Sequence, residues 1–211
     1  MGVRSTSLLP LLLFLLLVGN AAGAQGLKER GAALLEGGRF EEARALGLDA
    51  VNADPADMEG NLLLCQSLVS LGRPADAANY AAKAWERRRD PRLAELLGEA
   101  FYFLGRNPEA LSWFQAYLSS MPEGARAGLA YYYTGELYVR LGRFGHADIA
   151  FLTAVRHDPG NARWWVRLGW AQEKAGDPSQ ALRSYDKACV LDPRLEDATI
   201  GKERVLARLR G

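Results

Sequence analysis

Gly176-Asp177-Pro178-Ser179-Gln180-Ala181 is the stretch that decides the fold, because its glycine and alanine, five residues apart, recur along the whole chain. The same pair occurs as Gly38 and Ala43, Gly72 and Ala77, Gly105 and Ala110, Gly142 and Ala147, and Gly176 and Ala181. Successive glycines are 34, 33, 37 and 34 residues apart. Self-similarity at such a period is typical of stacked supersecondary units. The repeat therefore predicts how the chain folds and binds, but not what it binds.

Small residues recur at other fixed places in each repeat. With the recurring alanine counted as position 20, position 8 holds a small residue each time: Gly31, Cys65, Gly98, Gly135 and Gly169. Small residues allow two antiparallel helices to approach closely. Asp-Pro pairs then close several repeats, since proline cannot continue a helix interior. Each repeat is predicted to be a hairpin of two helices, A and B.

The fifth repeat carries the most complete motif. It reads Trp165-x-x-Leu168-Gly169, followed by Gly176, Ala181, Tyr185, Ala188 and Pro193. This pattern resembles the signature of the tetratricopeptide repeat family, and the resemblance extends over nearly all of the chain after residue 24. It implies an all-α fold, a right-handed superhelical solenoid of five helix hairpins whose concave groove is lined by the A helices.

The repeats are predicted over residues 25–193, with units at about 24–57, 58–90, 91–127, 128–161 and 162–193. A C-terminal helix over 194–211, apolar along one stripe, is predicted to cap the last unit, because a solenoid needs a polar outer end. The second unit matches least well and has Asn61 at position 4. Three extra residues within Pro122–Ala127 are either an ordinary loop insertion or a bend that separates the first three units from the last two.

Residues 1–24 are predicted to be a signal peptide. Arg4 precedes the apolar run Leu8–Val18, and Ala22-Gly23-Ala24 has the small-x-small pattern of a cleavage site. The apolar run has 11 residues, fewer than the ~20 that span a bilayer. Cleavage predicts an exported, periplasmic protein with no integral membrane segment. An uncleaved N-terminal anchor is the alternative.

Charge and composition exclude several function classes. One of the 26 basic residues, Arg4, lies in the leader, so 25 remain against 25 acidic residues. A domain without net charge lacks the basic footprint of a nucleic-acid-binding protein. The two histidines, His146 and His157, lie about 16 Å apart along one predicted helix. We therefore expect no catalytic set, no metal site, no cofactor and no enzymatic activity.

The resemblance implies that positions 2, 5, 9, 12 and 13 of each A helix face the groove. The predicted partner-binding residues at these positions are Glu99, Tyr102, Phe103, Tyr132, Glu136, Arg140 and Trp170. Aromatic side chains are good interface anchors, because they bury a large area at low entropic cost. The alternative is that these rings pack against neighbouring helices and contact no partner.

The function expected from these observations is that of a non-enzymatic scaffold for protein–protein interaction. It would hold an extended or helical segment of a partner protein in the groove, with a role in envelope assembly, secretion or transport. Two alternatives stay open. One is a self-assembling oligomer built through an uncapped N-terminal face, and the other is a carrier of a small apolar ligand.

Overall fold

The computed structural model describes the backbone of residues 9–210 and the side chains of residues 23–210. This part of the chain contains eleven α-helices and no strand. Their bounds are α1 Leu9–Glu36, α2 Phe40–Ala53, α3 Met58–Ser70, α4 Pro74–Arg87, α5 Pro91–Phe103, α6 Asn107–Ser120, α7 Ala127–Arg140, α8 Phe144–His157, α9 Ala162–Ala175, α10 Pro178–Leu191 and α11 Glu196–Arg210. The all-α solenoid of helix hairpins expected from the sequence is confirmed.

The N-terminal leader is only partly covered. Residues 1–8 of the predicted signal peptide lie outside the described residues, and α1 continues through Ala24 without a break. The cleavage site therefore stays a prediction. Within the described residues, no helix is long and apolar enough to cross a membrane.

The helices form two compact units, which divide between Arg89 and Asp90. The first unit contains α1 to α4 and the second contains α5 to α11. The insertion within Pro122–Ala127 lies inside the second unit, so the chain does not divide there.

The five repeated glycines end the A helices in a left-handed conformation. Their φ values lie between 69° and 91°, a backbone region that residues with a Cβ rarely adopt. The five are Gly38, Gly72, Gly105, Gly142 and Gly176. The residue after each of the five glycines donates its amide to the carbonyl five residues back, near the helix end, as Arg143 N does to Tyr138 O at 2.8 Å. These turns reverse the chain, so helix B can return along helix A.

The five repeated alanines have no exposed surface: Ala43, Ala77, Ala110, Ala147 and Ala181 are all 0% exposed. A larger side chain at these places would separate the two helices of a hairpin. Glycines within the A helices also allow the two helices of a hairpin to pack closely, as α7 and α8 do. A Cβ added to Gly135 would lie 2.7 Å from Cδ1 of the buried Phe151 ring. The spacing of small residues in the sequence thus corresponds to the closest helix approaches in the fold.

In the first unit, the irregular Asn61 has a local structural role. Its side chain is buried, and Nδ2 donates to Asp57 O at 2.7 Å and to Pro55 O at 3.1 Å. These bonds fasten the turn between α2 and α3. A buried amide of this kind must be satisfied, since an unpaired one is costly. The departure from the repeat pattern is therefore explained by the turn.

The last helix, α11, covers the end of the second unit as predicted. Ala198, Gly201 and Val205 are buried against α10. Gly201 lies directly against the Tyr185 ring, where a Cβ would not fit. The opposite face of α11 is solvated, which is what a terminal repeat requires.

Candidate functional site

Aromatic rings bring the A helices of the second unit side by side. Tyr102 of α5 lies 4.6 Å from Tyr133 of α7, and Tyr132 of α7 stacks on Trp164 of α9 at 5.3 Å, measured between ring centroids. Adjacent Tyr132 and Tyr133 thus reach the helices on either side. We call the surface of α5, α7 and α9 that carries Tyr102, Tyr132 and Trp170 the A-helix face.

Tyr102, Phe103 and Arg140 form one edge of this face. The Arg140 guanidinium lies over the Tyr102 ring, 4.0 Å from its centroid, and its Nη1 donates to Asn107 Oδ1 at 3.1 Å. Phe103 contacts Tyr102 edge-on and remains 52% exposed. An exposed aromatic ring beside an exposed cation is a surface on which a partner side chain can bury apolar area.

Tyr132 is held more firmly. Besides Trp164, its ring lies 5.6 Å from the fully buried Phe151, and it packs on the hydrophobic cluster of α8 and α9. Burial raises the pKa of the Tyr132 hydroxyl, and the nearby Glu136 carboxylate raises it further. This ring belongs partly to the core and is only half available to a partner.

Trp170 occupies the next position along the face. Its ring meets Phe144 edge-on at 5.6 Å, and it packs on the cluster that α10 and α11 form. Two cations also approach the ring, Arg167 at 5.0 Å and Lys174 at 5.6 Å from its centroid. Trp170 is half-buried, so part of the ring faces solvent.

The two predicted acidic residues are both engaged within the protein. Arg167 of α9 donates from Nη2 to Glu136 Oε2 at 2.7 Å, and Arg126 donates from Nη2 to Glu99 Oε2 at 2.6 Å. Sequence reasoning assigned these carboxylates to the groove but missed both arginines. A partner cation would have to displace an arginine to reach either carboxylate.

A signal for these arginines is present in the sequence. Three Glu–Arg pairs, each joining helices two apart along the chain or their ends, share one spacing of 31 residues: Glu95–Arg126, Glu136–Arg167 and Glu173–Arg204. The spacing is shorter than the repeat of 34, so each arginine in the last two pairs lies about one turn earlier on its helix than the glutamate does. A search for charge pairs just short of the repeat length would have found them.

The inserted segment between α6 and α7 is anchored by Arg126. Its Nε donates to Glu95 Oε2 at 2.8 Å, so one arginine bridges two carboxylates of α5. Glu95 is 1% exposed, and its Oε1 accepts no hydrogen bond from any described residue. Burial raises the pKa of the Glu95 carboxyl to about 7, the Arg126 charge opposes this, and the Glu99 carboxylate adds to it.

The seven predicted residues come from three successive A helices of the second unit, and Glu99 among them is buried. Glu99, Tyr102 and Phe103 come from α5, Tyr132, Glu136 and Arg140 from α7, and Trp170 from α9. The rings serve two roles, since Tyr132 packs into the core while Phe103 is open to solvent. Partner binding by these residues stays a prediction.

In the first unit, a cleft of about 380 Å³ between α1 and α2 is lined by Arg30, Ala33, Leu34, Arg39, Glu42 and Leu46. Its Arg39 and Glu42 are already paired with each other. No group of three or more His, Cys, Asp and Glu side chains in the described part of the chain is arranged to hold a metal ion.

Comparison with known proteins identifies the repeat. A family model described as tetratricopeptide repeat matches residues 62–128 and 132–196, which together exceed half of the chain. Anaphase-promoting complex subunit 3 of Schizosaccharomyces pombe is 35% identical over 80 residues. That match covers 38% of this chain and 12% of the yeast protein, so the chain spans a small part of that relative.

Solved structures share the fold at low identity. A thermophilic TPR protein of Thermus thermophilus superposes with a TM-score of 0.66 at 22% identity, covering 87% of this chain and 99% of that one. Pseudomonas aeruginosa pilF gives a TM-score of 0.78 at 16% identity, covering 91% of this chain and 86% of that one. At such identities the likeness concerns the fold alone.

Proposed function

This chain belongs to the tetratricopeptide repeat family, and from that premise we propose that it is a non-enzymatic scaffold that holds a segment of a partner protein on its A-helix face. Repeat proteins use their extended surfaces for binding, and grooves between helices accept extended or helical peptides. The observation that carries the proposal is the exposed Phe103 ring, which continues into the half-buried Tyr102 beside the Arg140 guanidinium.

The cellular setting is part of the proposal. The leader over residues 1–24 supports export to the periplasm, where a scaffold of this kind would serve envelope assembly, secretion or transport. N-terminal sequencing of the protein recovered from a periplasmic fraction tests this part. A mature chain that starts after Ala24 supports export, and a chain that starts at Met1 in the membrane fraction supports the uncleaved anchor.

Binding at the A-helix face is tested by site-specific photocrosslinking in the native cell. A benzoylphenylalanine replaces Phe103, which is 52% exposed, and in a matched control it replaces Ile149 of α8, which is 67% exposed and lies on a B helix. We expect a crosslinked protein partner from position 103 and none from position 149. Mass spectrometry of the product identifies the partner segment.

The outcomes separate the proposal from its rivals. Equal crosslinking from both positions, or none from position 103, contradicts binding on the A-helix face. A product of twice the mass of the recovered chain supports the self-assembling oligomer instead.

A further inference from the structure

On the A-helix face the carboxylates are paired within the protein, but two of the cations have no carboxylate partner. Each of its carboxylates pairs with an arginine of this chain, as Glu99 does with Arg126, Glu136 with Arg167 and Glu173 with Arg204. Arg140 and Lys174 are different. No carboxylate among the described residues lies within ion-pair distance of either one, and both are exposed.

The two cations occupy equivalent places. Arg140 is the last residue of α7, and Lys174 is the residue before the last of α9. Each lies over an aromatic ring, Arg140 over Tyr102 and Lys174 over Trp170. Phe103, the last residue of α5, holds the corresponding place one repeat earlier. The C-terminal ends of three successive A helices thus present a ring and two cations to solvent.

Their own helices do not neutralise these cations. The C-terminus of a helix carries roughly half a negative charge, which favours a cation in the last turn but leaves a net positive potential. This potential would repel a basic partner. Such a partner could pair with a carboxylate of the face only by displacing an arginine of this chain. An acidic partner gains from both effects, since complementary charge guides association and opposed charge excludes other partners.

We infer that the segment bound on the A-helix face is acidic and carries an aromatic or aliphatic side chain. Its carboxylates pair with Arg140 and Lys174, and its apolar side chain covers the exposed Phe103 ring. The Arg140 guanidinium is planar and lies over the Tyr102 ring. Its Nη1 donates to Tyr102 O and Asn107 Oδ1, so a carboxylate approaches the other N–H groups. This inference rests on the proposed function, because it describes the partner of the same surface.

The experiment is selection from a random library of displayed 16-residue peptides on the immobilised full chain. We expect enriched sequences with net negative charge and at least one large apolar residue. The most enriched sequence is then made as a labelled peptide, together with a version in which every Asp and Glu is replaced by Asn and Gln. Fluorescence anisotropy gives the dissociation constant of each peptide.

Charge pairing predicts a specific pattern in these constants. R140Q and K174Q each weaken the acidic peptide about 2- to 5-fold, as expected for solvent-exposed pairs, and the double variant weakens it further. The amide peptide binds more weakly and no longer distinguishes the variants from wild type, which is the signature of a direct interaction. R183Q, an exposed arginine on α10, is the matched control and changes nothing.

Failure of this inference can be told from failure of the proposed function. Enriched peptides that are neutral or basic, and that bind R140Q and K174Q as they bind wild type, overturn the acidic partner but leave a binding face. If no peptide is enriched, the segment crosslinked from position 103 decides. An acidic crosslinked segment supports the inference, a non-acidic one overturns it, and the absence of any crosslink overturns both proposals.

Discussion

Arg167 of α9 donates two parallel hydrogen bonds to Glu136 of α7, Nε to Oε1 at 2.5 Å and Nη2 to Oε2 at 2.7 Å. Such a two-point contact fixes the orientation of both side chains as well as pairing their charges. It also ties one repeat to the next. The Glu173–Arg204 pair links α9 to α11 at the same spacing. The face on which a partner is proposed to bind is therefore braced by internal ion pairs.

The first prediction concerns this brace. Arg167→Gln should lower the free energy of unfolding by about 1–2 kcal/mol, because the loss of one partner leaves Glu136 partly buried without its counter-ion. The side chains of the pair are 29% and 13% exposed. Chemical denaturation followed by circular dichroism measures the change.

The control for this prediction is Lys202→Gln. Lys202 also pairs between helices, with Asp186, but the two side chains are 40% and 47% exposed. Exposed pairs contribute little, so no measurable change in the free energy of unfolding is expected. Equal losses of unfolding free energy in the two variants would show that burial does not make the Arg167 pair more stabilising than an exposed pair.

The second prediction concerns pH. Burial, the largest effect, raises the pKa of Glu95 to about 7 in the folded protein, against about 4.3 in an unfolded chain. The folded state therefore binds more protons between these values, and the contribution of Glu95 to stability is lost as pH rises through 7. The Glu95→Gln side chain does not titrate. The stability of this variant relative to wild type should therefore rise by on the order of 1–3 kcal/mol between pH 5 and pH 8.

This gain is measured as the difference in unfolding free energy between variant and wild type at the two pH values. Glu203→Gln makes the same substitution at an exposed site on α11 and serves as the control. A pH-independent difference for Glu95→Gln would mean that Glu95 is ionised throughout. Arg126 would then outweigh the burial of the carboxyl.

The third prediction separates the rings of the A-helix face. Phe103→Ser should cost less than about 1 kcal/mol, because the ring is 52% exposed. Tyr132→Ala should cost about 2–4 kcal/mol, because its ring contacts Trp164, Phe151 and Tyr133. Thermal unfolding gives both values. A cost for Tyr132→Ala as low as that of Phe103→Ser would mean that the Tyr132 ring is not part of the core.

The fourth prediction concerns close packing of the hairpin. Gly135→Ala should destabilise the protein by about 1–3 kcal/mol, since the new methyl group would lie 2.7 Å from the buried Phe151 ring. Gly145→Ala is the matched variant, because nothing lies within 4 Å of its added Cβ. It should be neutral or stabilise α8 by about 0.5–1 kcal/mol. A loss in Gly145→Ala as well would show that contact with Phe151 is not the cause, because helix propensity favours alanine over glycine at both positions.

The fold followed from the sequence because the repeat reports local requirements. A glycine that ends helix A must adopt a positive φ, and an alanine at the tightest approach must have no exposed surface, so both residue types recur at the repeat length. These requirements depend on neighbours within one hairpin. Periodicity therefore predicted the hairpins, the apolar stripe after Pro193 predicted the capping helix, and the family resemblance assigned the seven residues to the groove.

The condition of each side chain on that surface depended on contacts between repeats. The sequence assigned Glu99 and Glu136 to the groove as carboxylates available to a partner. In the structure they form ion pairs with Arg126 and Arg167. Tyr132 and Phe103 were both assigned to the groove, but only Phe103 stays exposed, because Trp164 and Phe151 enclose Tyr132. The sequence by itself determined the hairpins, through backbone conformation and side-chain size within each repeat. Only the tertiary structure decided which charges and rings remain available, since burial and pairing are set by residues about 30 positions away on neighbouring helices.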